Sequence, residues 1–451
     1  MNRFTTRAGR LFFGQSYRPS SASALIRPQN IHFLRASVPL STTAATAVAM
    51  VAYTTSVSQP VTASDIPEDA LSTPHHVKDK NGQLLKFKNP HKSAGDPPWT
   101  PFDMIRKVFW TVLSGGLKQP DVKGVEIPTK TPEFLPSRSS SAGAPSSSQS
   151  LLRATWLGHA CYYVEFPSGL RVLFDPVFED RCAPVQFAGP KRYSPPACSL
   201  ADLPAVDAVI ISHSHYDHLS HTSVQQIAKQ NPEAHFFVGL GLEKWFKASG
   251  ISKVTEMDWW QDVDLTLTKS SASQEEGPAE ITAQISCLPC QHSSGRTGLD
   301  PDQTLWASWS VKSGSKSVWF GGDTGYRKVP QPSPSDPLPD YYSTDFESLP
   351  RCPQFKQIGE RRGPFDLGLI PIGAYHPRWL FSWMHADPYD AVEIFKDTKC
   401  KKAMGIHWGT WVLTSEEVHE PPQLLKKALK KSGIDEEGVF DVCAVGETRE
   451  F

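Results

Sequence analysis

The chain has 451 residues, of which 39% are hydrophobic, and its 46 basic and 47 acidic side chains give a formal net charge of −1. This length allows a large buried core, and the near-neutral charge gives no electrostatic basis for binding nucleic acid. The eight cysteines lack the spacing of a disulfide framework, so we expect reduced thiols. Cys287 and Cys290 have redox or zinc spacing, but no second pair follows them.

The first 64 residues stand apart because they contain six arginines and no aspartate, glutamate or lysine. A basic, hydroxyl-rich and acid-free start predicts a mitochondrial transit peptide, with a disordered basic tail as the alternative. No charged residue occurs between Val38 and Val57, and the most apolar part of this stretch is 44–53. The stretch is a short candidate for a membrane segment, so we expect a mitochondrial protein associated with the inner membrane.

Composition divides the rest of the chain into two parts. Residues 65–152 form an N-terminal extension that ends in a serine-rich linker, PSRSSSAGAPSSSQS, at 136–150. Residues 153–451 have the composition of a globular domain, interrupted by two expected surface insertions at 270–279 and 328–353. We therefore predict a leader, this extension and one globular domain.

In the globular part, four apolar, strand-like runs each end shortly before residues that can bind a metal. The first run, 206–211, is followed by HSHYDH, which places three histidines and an aspartate within six residues. The metal-capable residues at the four run ends are His213, His215, Asp217, His218, His292, Asp323 and His407. Because loops at strand ends commonly carry functional groups over a rigid sheet, these residues together predict a site for one or two metal ions. Any one histidine alone is more often an ordinary surface or core residue.

Helices are predicted between these strands. Apolar residues at helical spacing indicate a helix over 222–230, and Asp387 followed by Pro388 is typical of a helix N-cap and first turn. Strands and helices mixed around one site indicate an α/β layered fold.

HSHYDH also matches the His-x-His-x-Asp-His signature of the metallo-β-lactamase superfamily. Other matching segments are TWLGHA (155–160), DPVF (175–178), MDWW (257–260), GGDTGY (321–326), HADP (385–388) and IHWGTW (406–411). From about Phe87 to the C-terminus, the chain resembles the family of N-acylphosphatidylethanolamine-hydrolysing phospholipases D. The serine-rich linker and the proline-rich insertion depart from the animal pattern.

The resemblance implies a fold, a metal centre and a reaction. The fold is an αβ/βα sandwich with two zinc ions per chain at one edge. One zinc ion would be held by His213, His215 and His292, the other by Asp217, His218 and His407, and the bridge would be Asp323. The family reaction hydrolyses an N-acylphosphatidylethanolamine to an N-acylethanolamine and phosphatidic acid. The expected partners are therefore a phospholipid substrate and a membrane surface.

Further residues receive roles with open alternatives. We assign to catalysis Asp217, Asp323 and His385, of which the last would help the leaving group or have a helix-capping or structural role. Support of the ligands, or simple packing, is expected of His159, Asp175 and Tyr216. In YHPRWLFSWM, a lipid groove or membrane-contacting rim, or else plain core, would be formed by Trp379, Leu380, Phe381, Trp383 and Met384.

The sequence leaves two other functions open. Another hydrolase of the superfamily, such as a lactonase or a phosphodiesterase for soluble substrates, would use the same metal ligands. A catalytically inactive, lipid-binding scaffold would have no need of all seven ligands. Acyl-chain preference and oligomeric state, including a homodimer, are also left open.

Overall fold

The computed structural model describes residues 53–72, 74–95, 118–135, 151–271 and 278–451, all within one compact unit, Met50–Phe451. The leader up to residue 52 and the serine-rich linker at 136–150 lie outside these residues. The transit peptide and the linker therefore stay predictions.

The secondary structure combines runs of strands with helices. The strands are β1 Tyr53–Val57, β2 Val61–Thr62, β3 His76–Lys78, β4 Leu84–Phe87, β5 Arg153–Gly158, β6 Cys161–Glu165, β7 Arg171–Phe174, β8 Ala208–Ile210, β9 His235–Gly239, β10 Val254–Met257, β11 Gln261–Lys269, β12 Glu280–Leu288, β13 Ser308–Ser313, β14 Lys316–Phe320, β15 Phe365–Pro371, β16 Cys400–Ile406, β17 Phe440–Asp441 and β18 Thr448–Glu450. The α-helices are α1 Glu68–Ser72, α2 His221–Gln230, α3 Glu243–Ala248, α4 Gln354–Arg361, α5 Arg378–Phe381, α6 Pro388–Asp397 and α7 Glu420–Lys431. Short 3-10 helices lie at Lys92–Ala94, Leu200–Asp202 and Thr344–Phe346.

The strands form two large mixed sheets. The first has the order β1-β11-β12-β13-β14-β15-β16-β17, and β2 also pairs with β11. The second has the order β10-β9-β8-β7-β6-β5-β18, and a separate hairpin pairs β3 with β4. Strands β7 to β10 run parallel in one sheet, as do β14 to β17 in the other.

Side chains alternate between two faces along the strands and so define the layers. On β7, Phe174 points into the core between the sheets, where its ring centroid lies 4.8 Å from that of Phe320 on β14. The preceding Leu173 belongs to a second core, together with residues of α2 and α3. Helices α4, α6 and α7 pack against the first sheet through residues such as Ile394. The order helix, sheet, sheet, helix confirms the αβ/βα sandwich.

Both predicted helices are present with the expected N-terminal caps. Helix α2 follows Ser220, whose hydroxyl accepts a hydrogen bond from Ser223 N at 3.0 Å. Helix α6 follows Asp387, whose carboxylate accepts from Asp390 N at 3.0 Å, and Pro388 stands in its first turn. These caps satisfy backbone N–H groups that have no partner within the helix.

The N-terminal residues that the structure describes are part of the first sheet. Strands β1 and β2 pair antiparallel with β11, and Tyr53 is buried. The compositional boundary after residue 64 therefore does not coincide with the edge of the fold. Because β1 takes the last five residues of the uncharged stretch 38–57, a membrane segment cannot extend to Val57. In the described part of the chain, none of the helices has the length and apolar character needed to cross a bilayer.

The two insertions differ in how they pack. The first, at 270–279, connects β11 to β12, and residues 272–277 lie outside the described ranges. The second, at 328–353, exposes Leu338 but also packs against α6, because the Tyr342 hydroxyl hydrogen-bonds the Asp387 carboxylate. All eight cysteines are free, as expected from their spacing.

Candidate metal centre

Strand ends of both sheets bring the metal-capable side chains to one edge. Strand β8 ends at Ile210, shortly before HSHYDH, and β5 ends at Gly158, directly before His159. In the first sheet, β12 and β14 end shortly before His292 and Asp323, and β16 ends directly before His407. The strand endings read from the sequence are therefore present in the fold.

One carboxylate oxygen lies at the centre of the cluster. Asp323 Oδ2 is 3.0 Å from His407 Nε2 and 3.1 Å from His218 Nε2. The same oxygen is 3.7 Å from His292 Nε2 and 4.0 Å from His213 Nε2. A single buried carboxylate thus faces histidines of both predicted ligand triads, which is the position that a bridging ligand requires.

The histidines predicted for the first ion lie together. His213 Nε2 is 2.8 Å from His215 Nδ1, which is 3.3 Å from His292 Nε2. One ligand atom from each of the three lies within 4.8 Å of the others. The turn after β8 and the end of β12 therefore present three ring nitrogens to one point.

The residues predicted for the second ion also lie together. Asp217 Oδ2 is 3.3 Å from His407 Nε2 and 3.4 Å from His218 Nε2. His159, predicted as a supporting residue, places its Nε2 3.1 Å from the same oxygen. His159 therefore contacts Asp217 directly, which fits the supporting role better than simple strand packing.

Asp175 orients His218 and Ser212 through hydrogen bonds. Its Oδ2 accepts hydrogen bonds from Ser212 Oγ at 2.5 Å and His218 Nδ1 at 2.6 Å, and its Oδ1 accepts from Ser212 N at 2.7 Å. A proton on His218 Nδ1 leaves the Nε2 lone pair free to face the centre. In the same way, the backbone oxygen of Met384 lies 2.8 Å from His292 Nδ1.

Tyr216 packs beneath an arginine that holds the HSHYDH turn. The Arg296 guanidinium lies 4.0 Å from the centroid of the Tyr216 ring. Arg296 Nη1 also donates to the backbone oxygens of Ser214, at 2.7 Å, and Leu219, at 2.8 Å. Tyr216 therefore supports the turn through this contact.

Burial and charge set the protonation of the cluster. Burial lowers the pKa of His213 well below its usual value and, together with the charge of His407, lowers the pKa of His159 to about 3. Burial also lowers the pKa of His385 to about 3. Burial acts in the same direction on His407, but the charge of Asp323 and hydrogen bonds to carboxylates outweigh it and raise the pKa of His407 to about 9. Neutral imidazoles are the form that binds a metal.

Several buried polar atoms of the cluster have no hydrogen-bond partner among the described residues. They include Asp323 Oδ1, His218 Nε2 and His385 Nδ1, together with the Nδ1 atoms of His159 and His407. Unpaired polar atoms are costly to bury, whereas a bound cation would satisfy the carboxylate oxygen and the free lone pair of an imidazole. Imidazole and carboxylate are also the donors that zinc and similar ions prefer. The residues therefore fit a divalent metal.

The segment after β15 contributes one residue to the centre and several to packing. His385 Nδ1 lies 4.0 Å from Asp323 Oδ2, and Asp387, not His385, caps α6. Of the residues predicted to contact lipid, Trp379, Phe381 and Met384 are half-buried and Trp383 is 6% exposed. Leu380 is 0% exposed, which fits the plain-core alternative for this residue because its side chain packs inside the protein.

Other residues at the centre were not identified from the sequence. Ser212 Oγ lies 2.9 Å from His213 Nδ1, and Thr410 Oγ1 accepts from His159 N at 2.8 Å. Asn89 Nδ2 donates to the backbone oxygen of His292 at 2.7 Å. Ser212 and Thr410 adjoin or lie in recognised motifs, which is a usable signal. Asn89 gives no such signal.

Comparisons with known proteins agree with this geometry. The model of the beta-lactamase superfamily domain matches residues 170–331 and 340–408, which include all seven predicted ligands. The N-acyl-phosphatidylethanolamine-hydrolyzing phospholipase D 1 of Caenorhabditis elegans is 40% identical over 288 residues, covering 62% of this chain and 71% of that protein. The mitochondrial N-acyl-phosphatidylethanolamine-hydrolyzing phospholipase D of Saccharomyces cerevisiae is 30% identical over 282 residues, covering 62% of this chain and 52% of that protein. Among solved structures, a metallo hydrolase of Ignicoccus hospitalis is similar with 19% identity and a TM-score of 0.43, covering 67% of this chain and 98% of that one.

Proposed function

The chain belongs to the N-acyl-phosphatidylethanolamine-hydrolysing phospholipase D family of the beta-lactamase superfamily, and we propose that it hydrolyses N-acylphosphatidylethanolamine to an N-acylethanolamine and phosphatidic acid. The observation that carries this proposal is the position of Asp323, whose Oδ2 faces histidines of both predicted ligand triads. A scaffold without catalysis would not need this arrangement. The relatives' names favour a phospholipid over a soluble ester.

The proposed metal centre holds two zinc ions. The proposed ligands are His213, His215 and His292 for one ion, Asp217, His218 and His407 for the other, and Asp323 as the bridge. When bound, such a pair supplies a water of lowered pKa and positive charge that stabilises the phosphoryl oxygens. The protein's part is to fix the ligands, which Asp175 does for His218 and the Met384 backbone oxygen does for His292.

In the proposed reaction, water attacks phosphorus and the bond from phosphorus to the ethanolamine oxygen breaks, while a proton goes to the leaving alkoxide. His385 lies beside the ligands, and burial lowers its pKa to about 3. A lowered pKa favours the neutral ring, in which one nitrogen donates a hydrogen bond and the other accepts one. We assign it to holding a phosphoryl oxygen through a hydrogen bond from its neutral ring, which makes it a positioning residue of the bound phosphate.

Two exposed apolar side chains lie on loops attached to the centre, and we assign them to the membrane contact. Phe187 is 85% exposed on a loop held by Trp411, whose Nε1 donates to the backbone oxygen of Asp180 at 3.2 Å. Leu299 is 89% exposed on the loop that carries Arg296. Isolated exposed apolar residues are ordinary, but two on loops attached to the metal turns favour contact with a lipid surface near the centre.

We propose that the protein acts in mitochondria at the inner membrane. The arginine-rich, acid-free start is what mitochondrial import recognises, and the yeast relative is named mitochondrial. The test is a fluorescent reporter fused to residues 1–64. A reporter that stays in the cytosol would count against this location.

The function is tested with purified protein and vesicles that contain a defined N-acylphosphatidylethanolamine. We expect both products by mass spectrometry, two zinc ions per chain, loss of activity with a chelator and recovery with added zinc. Asp323→Asn should stay folded and lose activity. The control Asp366→Asn changes a residue at the start of β15, at the end of the strand away from the centre, and should keep the activity. Full activity in metal-free protein, or hydrolysis of lactones without hydrolysis of the N-acylated phospholipid, would contradict the proposal.

A further inference from the structure

A second group of histidine and aspartate side chains lies apart from the Asp323 centre. His75 and His76, at the start of the β3–β4 hairpin, face Asp258, in the turn between β10 and β11. His75 Nε2 is 2.7 Å from Asp258 Oδ1, and His76 Nε2 is 2.9 Å from Oδ2. One ligand atom from each residue lies within 4.8 Å of the others. This cluster shares no residue with the first.

The two imidazoles do not meet the carboxylate in the same way. His75 Nε2 makes a hydrogen bond of normal geometry with Asp258. His76 Nε2 lies 2.9 Å from Oδ2 and is paired with this oxygen, but the geometry of the contact is poorer than that of His75. A hydrogen-bonded clamp would direct both N–H groups at the carboxylate oxygens. His76 can therefore exchange this weaker contact for a bond to a third atom.

The three side chains are held in place by their surroundings. The His75 ring stacks on Trp259, with centroids 4.1 Å apart, and His76 meets the Phe87 ring edge-on at 5.5 Å. Asp258 Oδ1 also accepts a hydrogen bond from Trp259 N at 2.8 Å. Pre-oriented ligands lose little freedom on binding, which favours a site.

Solvent can reach the cluster through a cavity of about 210 Å³. Its lining includes the polar side chains of Asp69, His91, Gln354 and Gln357. The side chains of His75, His76 and Asp258 are 13%, 24% and 20% exposed. An ion could therefore enter, and water could fill the coordination positions that the protein leaves open.

We propose that His75, His76 and Asp258 bind a divalent transition metal ion, zinc in the first place. Two imidazole nitrogens and one carboxylate oxygen form a donor set that zinc and its neighbours accept, with water in the open positions. The ion joins the β3–β4 hairpin to the β10–β11 turn. Because Asn89, just after β4, donates to the His292 backbone, the same ion steadies the hairpin beside the Asp323 centre.

The experiment measures metal bound by the full-length protein after equilibration with zinc and removal of the free ion. We expect His76→Ala to hold one ion less per chain than the wild type, with an unchanged fold by circular dichroism. His419→Ala, a change at an exposed histidine, is the control and should keep the wild-type content. With cobalt in place of zinc, one component of the visible absorption should disappear in His76→Ala and persist in His419→Ala.

The result does not depend on the Asp323 centre because it is a difference between two proteins that share that centre. Equal metal content and equal cobalt spectra in the wild type and His76→Ala would overturn the proposal and leave a hydrogen-bonded clamp. If His76→Ala does not fold, Asp258→Asn serves instead, since it keeps the side-chain size and one acceptor oxygen. Retention of the full metal content by Asp258→Asn would equally overturn it.

Discussion

Substitution of Asp175 tests whether this carboxylate orients the proposed metal ligands. It is fully buried and accepts three hydrogen bonds, from Ser212 N at 2.7 Å, Ser212 Oγ at 2.5 Å and His218 Nδ1 at 2.6 Å. Asp175→Asn keeps the side-chain size but replaces one acceptor oxygen with an NH₂ donor. At least one of the three donors then faces another donor, or His218 changes tautomer and places a proton on the nitrogen that faces the centre.

The size of the effect follows from these contacts. A buried donor without an acceptor costs about 1–3 kcal/mol, and loss of a partner behind a metal-binding histidine lowers metal affinity or activity about 10–100-fold. We expect folded Asp175→Asn to bind zinc more weakly by that factor, measured by competition with a chromogenic chelator. Asp366→Asn, which loses contacts to Ser317 and Lys401 at the far end of β15, should bind normally. Wild-type zinc affinity in Asp175→Asn would show that this carboxylate only packs in the strand.

Three other predictions follow from the fold and the surface. Removal of residues 1–64 should lower the melting temperature because β1 and β2 are lost from β11. Leu380→Ala should lower the free energy of unfolding by about 2–5 kcal/mol in a denaturant titration, and an unchanged value would contradict its burial. The double variant Phe187→Ser/Leu299→Ser should bind vesicles about 100-fold more weakly. Burial of each apolar side chain in the membrane contributes roughly 1.5 kcal/mol to binding, and the two contributions together give this factor. Equal losses on a soluble phosphodiester would refute that membrane contact.

The positions of the metal-capable residues could be predicted because their signals are local. His213 to His218 form one motif, and His407 follows an apolar run directly, so each position is visible within a few residues. Within each of the two sheets, strands that run in the same direction end on the same side, so the strand ends that carry these residues lie at one edge of the sandwich. The helix after Asp387 was predictable for a similar reason, because an N-cap and a proline in the first turn act within one turn of helix.

Burial and long-range contacts could not be predicted in the same way. Leu380 stands among aromatic residues in a segment that reads as a lipid contact, and only the packing shows that it is inside. The support that Arg296 gives to Tyr216 joins two loops far apart in the sequence. Strand β1 was missed because only Tyr53 and Val57 of its five residues are large and apolar, so the alternation of a strand is not visible in its sequence. Composition records how polar a segment is, not which strand it pairs with.

The N-terminal extension contacts the segment that carries His292, although its composition sets it apart. Ser93 Oγ donates to Gln291 Oε1 at 2.6 Å, and Gln291 Nε2 donates to the backbone oxygen of Trp383 at 2.8 Å. Gln291 is buried directly before His292, whose own backbone oxygen is held by Asn89. Loss of either contact leaves a buried polar group unpaired beside a proposed zinc ligand, and such groups are costly. The extension therefore acts on the centre through the backbone around His292, where residues 153–451 alone would lack the hydrogen bonds from Ser93 and Asn89.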